Sequence, residues 1–235
     1  MVNTNDMGQK IHSLQETINY KFNNNHMIIE AITHSSYANE SKNKNIRYNE
    51  RLEFLGDSVL GLTISEYIFE KYKHLPEGEL TKMRASVVCE ASLARQARNI
   101  GLGQYLLLGK GEELTGGRDR ESILADALEA LIGAIYIDGG IEESRKFVLN
   151  YFMDSIVLAS KGSLFKDYKT DLQELLQSKG FEKITYKVVN EYGPDHNKSF
   201  DVEVLFGDTV IGRGSGKSKK EAEQRAAKEG IKRGQ

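Results

Sequence analysis

An all-α domain followed by a small α+β domain of order α-β-β-β-α is the architecture that this sequence predicts. Three observations predict it. Up to about Leu158 the apolar residues recur at helical spacing, whereas from Ile184 to Gly216 they alternate or run β-branched. The charge divides in the same place, with 14 Lys/Arg against 12 Asp/Glu in residues 164–235 and 18 against 22 in residues 1–163. The domains are therefore expected at 1–159 and 166–235, joined by a linker over 160–165. A chain of 235 residues, 39% hydrophobic and 28% charged, is long enough to bury two cores. No apolar run approaches the roughly 18 residues of a membrane span, and "MVNTNDMGQK" lacks the apolar stretch of a signal peptide. A cytoplasmic protein with no membrane partner is expected. The single cysteine, Cys89, has no disulfide partner in the chain and reads as a small core residue.

In the first part, helical spacing predicts helices over 8–20, 26–39, 47–73, 78–100, 120–138 and 141–159. Turn signals separate them: "LPEGEL" around Pro76, "GLGQ" around Gly101, "TGGRD" around Gly116 and "DGG" around Gly139. In the second part, "DYKTDLQELLQSKG" places Leu172, Leu175 and Leu176 at helical spacing and stops at Gly180. Three strands follow in "ITYKVVNEYG", "SFDVEVLFG" and "DTVIGRGSG", and "SKKEAEQRAAKEGIKR" closes with a helix. Arg213, Lys217, Lys219 and Lys220 precede or open that helix, whose positive dipole end suits phosphates.

The chemistry is concentrated in "NERLEFLGDSVLGL". At about 100° per residue, Leu52, Leu55, Val59 and Leu62 form one stripe, while Glu50, Glu53 and Asp57 fall within about 60° of one another on the opposite side. Like charges at this spacing repel, so the face is expected to meet something positive. A second acidic face lies in "ESILADALEALIGAIYIDGG", where Asp126 and Glu129 are three residues apart on an otherwise apolar helix. Gly56 on one helix and Gly133 on the other permit close backbone approach. Brought together, Glu53, Asp57, Asp126 and Glu129 make an oxygen-only donor set, which suits Mg2+ or Mn2+ rather than zinc. Solvated helix faces, or ion pairs with Arg51, Arg84 or Arg120, are the structural alternative.

The stretch "NERLEFLGDSVL" resembles the signature of ribonuclease III, and "THSSYANE", "PEGELTKMRASVV" and "RESILADALEALIGAIYIDGG" resemble further motifs of that family, in its order. "LQELLQ", "GPDHNKSF" and "GRGSGKSKKEAEQRAAKEG" are similar to the double-stranded-RNA-binding domain over residues 166–233. The resemblance implies a metal-dependent, double-strand-specific endoribonuclease, a hydrolase leaving 5′-phosphate and 3′-hydroxyl ends with short 3′ overhangs. Ribosomal RNA precursors and other structured transcripts are its implied substrates. Glu53, Asp57, Asp126 and Glu129 are the implied metal-site carboxylates, Asp57 and Glu129 being catalytic, with Glu77 associated with a second metal. Glu50 belongs to the signature as a substrate contact or as a solvated helix-end residue. His34 reads as a buried hydrogen-bonded histidine in preference to an RNA contact.

In the second domain the resemblance implies minor-groove contacts from Gln173, Gln177 and His196, and phosphate contacts from Lys217, Lys219 and Lys220. Phe54, between the apolar stripe and the carboxylates, is implied to insert into a second copy, giving a homodimer that cuts both strands. The implied cofactor is Mg2+, with Mn2+ able to substitute, and no organic cofactor. A scaffold protein that binds duplex RNA without cutting it is the alternative, and the four carboxylates disfavour it.

Overall fold

In the computed structural model the described residues are 4–43, 45–161, 168–177, 183–194 and 198–234. The chain separates into two compact units, Met1–Phe165 and Lys166–Gln235.

The first unit is helical. Its helices are α1 (Thr4–Ile18), α2 (Asn25–Ala31), α3 (Ser35–Glu40), α4 (Glu50–Lys71), α5 (Glu77–Val87), α6 (Glu90–Ile100), α7 (Lys110–Leu114) and α8 (Glu121–Ser160). Short 3-10 turns at Leu102–Tyr105 and Gly117–Asp119 join the later ones. The N-terminal half of α8 is the axis of the core: Leu124, Leu128, Leu131, Ile132 and Ile135 are all buried, and α2, α4, α5 and α6 pack on the helix.

The expected break at "DGG" is a kink inside α8, where Gly140 takes φ 82° and ψ −177°. Glycine alone takes that geometry without strain. Asp138, just before it, accepts hydrogen bonds from the Tyr20 hydroxyl at 2.9 Å and from the backbone N–H groups of Asn23 at 2.8 Å and Asn24 at 2.9 Å. The α1–α2 connection is thereby pinned to the kink.

Two helices expected to be continuous are broken. The segment 26–39 divides into α2 and α3 because Thr33 forms a parallel bridge with Leu107, with Leu107 N–H donating to Ile32 and His34 N–H to Leu107. Nδ1 of His34 then accepts from the Ser36 N–H at 3.3 Å, capping α3. The segment 78–100 divides into α5 and α6 at Cys89, whose backbone is extended (φ −72°, ψ 154°). Cys89 is half-buried rather than a core residue, and its thiol donates to the Ser86 carbonyl at 3.3 Å. The stripe expected on α4 is also rotated: Leu52, Gly56, Val59, Leu60, Thr63, Ile64 and Ile68 are buried, while Leu62 is 59% exposed. Packing against α8 through Gly56 draws the glycine side of α4 inward and turns Leu62 out.

The second unit consists of α9 (Tyr168–Gln177), β1 (Ile184–Tyr192), β2 (Ser199–Phe206), β3 (Thr209–Gly216) and α10 (Lys219–Gly234). The sheet is antiparallel in the order β1-β2-β3. Leu172 and Leu176 of α9, Val202 and Val204 of β2, and Ala222, Ala226 and Ala227 of α10 form its core. The glycines of "GRGSG" let α10 lie directly on β3, since a β-carbon at Gly214 would stand 2.2 Å from the Ala226 nitrogen.

Candidate metal centre and RNA-binding face

The crossing of α4 and α8 builds the acidic site. A β-carbon on Gly56 would lie 1.8 Å from the Glu129 carbonyl oxygen, and one on Gly133 would lie 2.3 Å from that of Leu52. No larger residue fits at either point, so the carboxylates that flank these glycines are carried to one place. Carboxylate oxygens of Glu53, Asp126 and Glu129 lie within 4.8 Å of one another. Asp57, one turn beyond Glu53, is exposed and stands outside that trio, yet it is the strongest charge acting on Glu129.

The electrostatics are those of crowded, half-buried carboxyls. Burial first, then Asp57, Glu53 and Asp126, pushes the Glu129 carboxyl up to about 8. Burial also raises Glu53, reinforced by Asp126, Glu50 and Asp57. Asp126 is raised by burial and by Glu90, with His34 opposing. Among the described residues no Lys or Arg is ion-paired with the trio. Arg84 instead donates to Ser65 Oγ at 3.2 Å, and Arg120 pairs with Glu112. Arg84 and Arg120 are thus engaged away from the trio, and the donor set fits a divalent cation bound through oxygen.

Residues 24–156 match the Ribonuclease-III-like family, and residues 168–233 match the double-stranded RNA binding motif. The chain belongs to the ribonuclease III family. It is similar to Ribonuclease 3 of Caldanaerobacter subterraneus subsp. tengcongensis, 56% identical over 218 residues that cover 93% of this chain and 95% of that one. It is also similar to Ribonuclease 3 of Clostridium tetani, 53% identical over 221 residues covering 94% and 93%. A solved nuclease domain of ribonuclease III from Campylobacter jejuni aligns with a TM-score of 0.57 and 41% identity, covering 62% of this chain and 97% of that one. That structure is described as showing flexibility in a region involved in dimer formation. The ribonuclease III chain described here is an endoribonuclease acting on double-stranded RNA, and cleavage in its family depends on metal.

The remaining site residues fall in separate places. Glu77, the first residue of α5, accepts from Thr81 Oγ1 at 2.7 Å and lines a cleft of about 370 Å³ with Leu62, Ser65, Phe69, Leu80 and Arg84. Ser65 lies three turns along α4 from Glu53, roughly 18 Å away, so one chain's fold does not gather Glu77 into the trio. His34 is half-buried, with Nδ1 2.8 Å from Ser36 Oγ, which in turn accepts from the Gly109 N–H at 2.9 Å. Glu90, opening α6, is a charge on Asp126 that spacing along the chain gave no means of finding. In the RNA-binding unit, Gln173, Lys217, Lys219 and Lys220 are exposed. The side chain of Gln177 and all of His196 lie outside the described residues. Arg213 is apart from the lysines: Gly212, Gly214 and Gly216 face α10, so Arg213 points to the other side of the sheet, where it pairs with Glu203 at 2.8 Å.

Proposed function

We propose that this chain hydrolyses phosphodiesters of duplex RNA with Mg2+ held by Glu53, Asp126 and Glu129, Asp57 standing beside them toward solvent, and that Mn2+ can replace Mg2+. The observation that carries this reading is the convergence of three half-buried carboxylates, with no Lys or Arg ion-paired to them among the described residues. Bound there, the ion supplies Lewis acidity, which activates water and stabilises the leaving oxygen of an in-line displacement. Glu129, the most buried of the three, orients the donor set and gives up its proton when the cation binds. Asp57, exposed on the same face, accepts a proton from the attacking water. Attack by water rather than by the ribose 2′-hydroxyl leaves a 5′-phosphate and a 3′-hydroxyl.

The active form is a homodimer. Phe54, Leu62 and Phe69 are 78%, 59% and 71% exposed along one face of α4, an apolar surface that water covers poorly. The cleft beside Leu62 and Phe69 has room for an aromatic ring. Insertion of Phe54 of each copy into the cleft of the other covers both faces. Because Phe54 adjoins Glu53, the exchange also carries Glu77 of one copy toward the carboxylate face of the other, where it serves a second metal. Two centres then cut both strands and leave short 3′ overhangs. Gln173, Gln177 and His196 address minor grooves while Lys217, Lys219 and Lys220 hold phosphates, so the duplex is selected by shape. The substrates include ribosomal RNA precursors and other structured transcripts of the cytoplasm; no described helix is long and apolar enough to cross a membrane. Incubating the protein with a long RNA duplex in Mg2+ and in chelator tests the reading. Cleavage in Mg2+ alone is expected, and cutting that persists in chelator overturns it.

A further inference from the structure

One of the phosphate lysines is held in a seat built by its own sheet. Glu191 of β1 and Phe200 of β2 are directly paired across the strands, so their side chains share a face. Lys219, opening α10, reaches that face: its Nζ lies 2.8 Å from Glu191 Oε1 and 5.4 Å from the centroid of the Phe200 ring. The hydrogen bond from Lys219 holds the Glu191 carboxyl below its ordinary range. A carboxylate oxygen at this distance presents an ammonium with what a phosphate oxygen would present, an anionic acceptor at hydrogen-bonding range. The two side chains remain 57% and 41% exposed, so the pair is open to exchange and weak enough to be exchanged.

We propose that Glu191 occupies on Lys219 the place of an RNA phosphate oxygen, so that duplex binding exchanges one anion for another and the domain's own carboxylate restrains its affinity. The inference rests on the reading of Lys219 as a phosphate contact. It assigns to Glu191 a role opposite to that of a binding residue. A lysine already neutralised by a carboxylate contributes less to the release of counterions from the duplex, and its contact with phosphate forms only as the internal pair opens. The consequence for the reaction is faster release of cut duplex, a step that limits turnover in many enzymes.

The test is binding of a non-cleaved RNA duplex to the full chain in chelator, across a series of KCl concentrations. Glu191→Gln, which keeps the size of the side chain and removes its charge, is expected to tighten binding about two- to fivefold, the scale of an exposed ion pair. It is also expected to steepen the dependence of log Kd on log salt by up to about 0.9, the value of one phosphate contact. Glu191→Ala should behave in the same way. In a Lys219→Met background the gain from Glu191→Gln should vanish. Unchanged or weakened binding by Glu191→Gln overturns the proposal, weakening meaning that the carboxylate orients Lys219 instead of competing for it. An equal gain in the Lys219→Met background also overturns it, since the effect would then be general charge. If Lys219→Met by itself costs no affinity with Glu191 in place, the phosphate reading of Lys219 fails, a result distinct from failure of the exchange.

Discussion

The backbone of Gly56 meets that of Glu129 so closely that a β-carbon on the glycine would stand 1.8 Å from the Glu129 carbonyl oxygen. The residue that supplies the most buried carboxylate of the site is therefore also the residue against which α4 is seated. Gly56→Ala must force the helices apart, and overpacking of this kind costs about 3 kcal/mol. A lower melting temperature is expected, together with loss of cleavage greater than the loss of folded protein. Wild-type melting and turnover in this variant would show that the crossing relaxes without disturbing the trio.

Glu129→Gln keeps the shape of the side chain and removes the charge that holds the cation. Cleavage is expected to disappear while duplex binding, measured in chelator, stays within about twofold, because the RNA-binding unit is untouched. Near wild-type turnover in Mg2+ would remove Glu129 from the site.

The raised carboxyls also set a pH dependence. Glu129 titrates near 8 in the folded chain against an ordinary 4.5, so between these values the folded state holds a proton that the unfolded chain has lost. In chelator, the contribution of Glu129 to stability is expected to be complete below pH 4.5 and to be lost as pH rises through 8. Glu129→Gln should flatten that fall. Mg2+ at a hundred times its Kd should add about 2.7 kcal/mol. Glu53→Gln combined with Asp126→Asn should raise stability in chelator and abolish the Mg2+ shift. Thermal melts at matched ionic strength separate binding from screening. An undiminished Mg2+ response in the double variant would place the ion elsewhere.

Phe54 is 78% exposed in the single chain, and the proposed dimer would cover it. Phe54→Ala is expected to weaken self-association by about 2 kcal/mol, roughly thirtyfold in Kd. Sedimentation across a concentration series measures this, and an unaltered dimer would assign the apolar face of α4 to another use.

Truncation after Gly162 retains the whole core of the helical unit and removes the lysines of α10. The shortened protein should fold, dimerise and cut duplex RNA at low salt, then fail as ionic strength rises, because fewer phosphate contacts survive screening. Full salt tolerance would show that the nuclease unit grips RNA without help.

The order of elements, the two acidic faces and the pair of glycines are legible in the sequence because each is a local property. Helical spacing, strand alternation and the absence of a side chain are written in consecutive residues, and the approach expected at Gly56 and Gly133 is the one that the fold contains. The division of 26–39 and of 78–100 was not legible. Thr33 leaves helical geometry to pair with Leu107, a partner 74 residues away, and no local spacing encodes a contact at that distance.

The sequence by itself determined which carboxylates the chain owns and on which helices they stand. Only the tertiary structure decided that Glu53, Asp126 and Glu129 converge while Asp57 remains at the edge, that Glu77 lines a cleft of its own, and that Leu62 faces outward. The physical reason is that these outcomes depend on the angle and depth at which α4 crosses α8. Steric exclusion between backbones sets that crossing, and the resulting burial, more than the charges gathered around it, raises the Glu129 carboxyl to about 8.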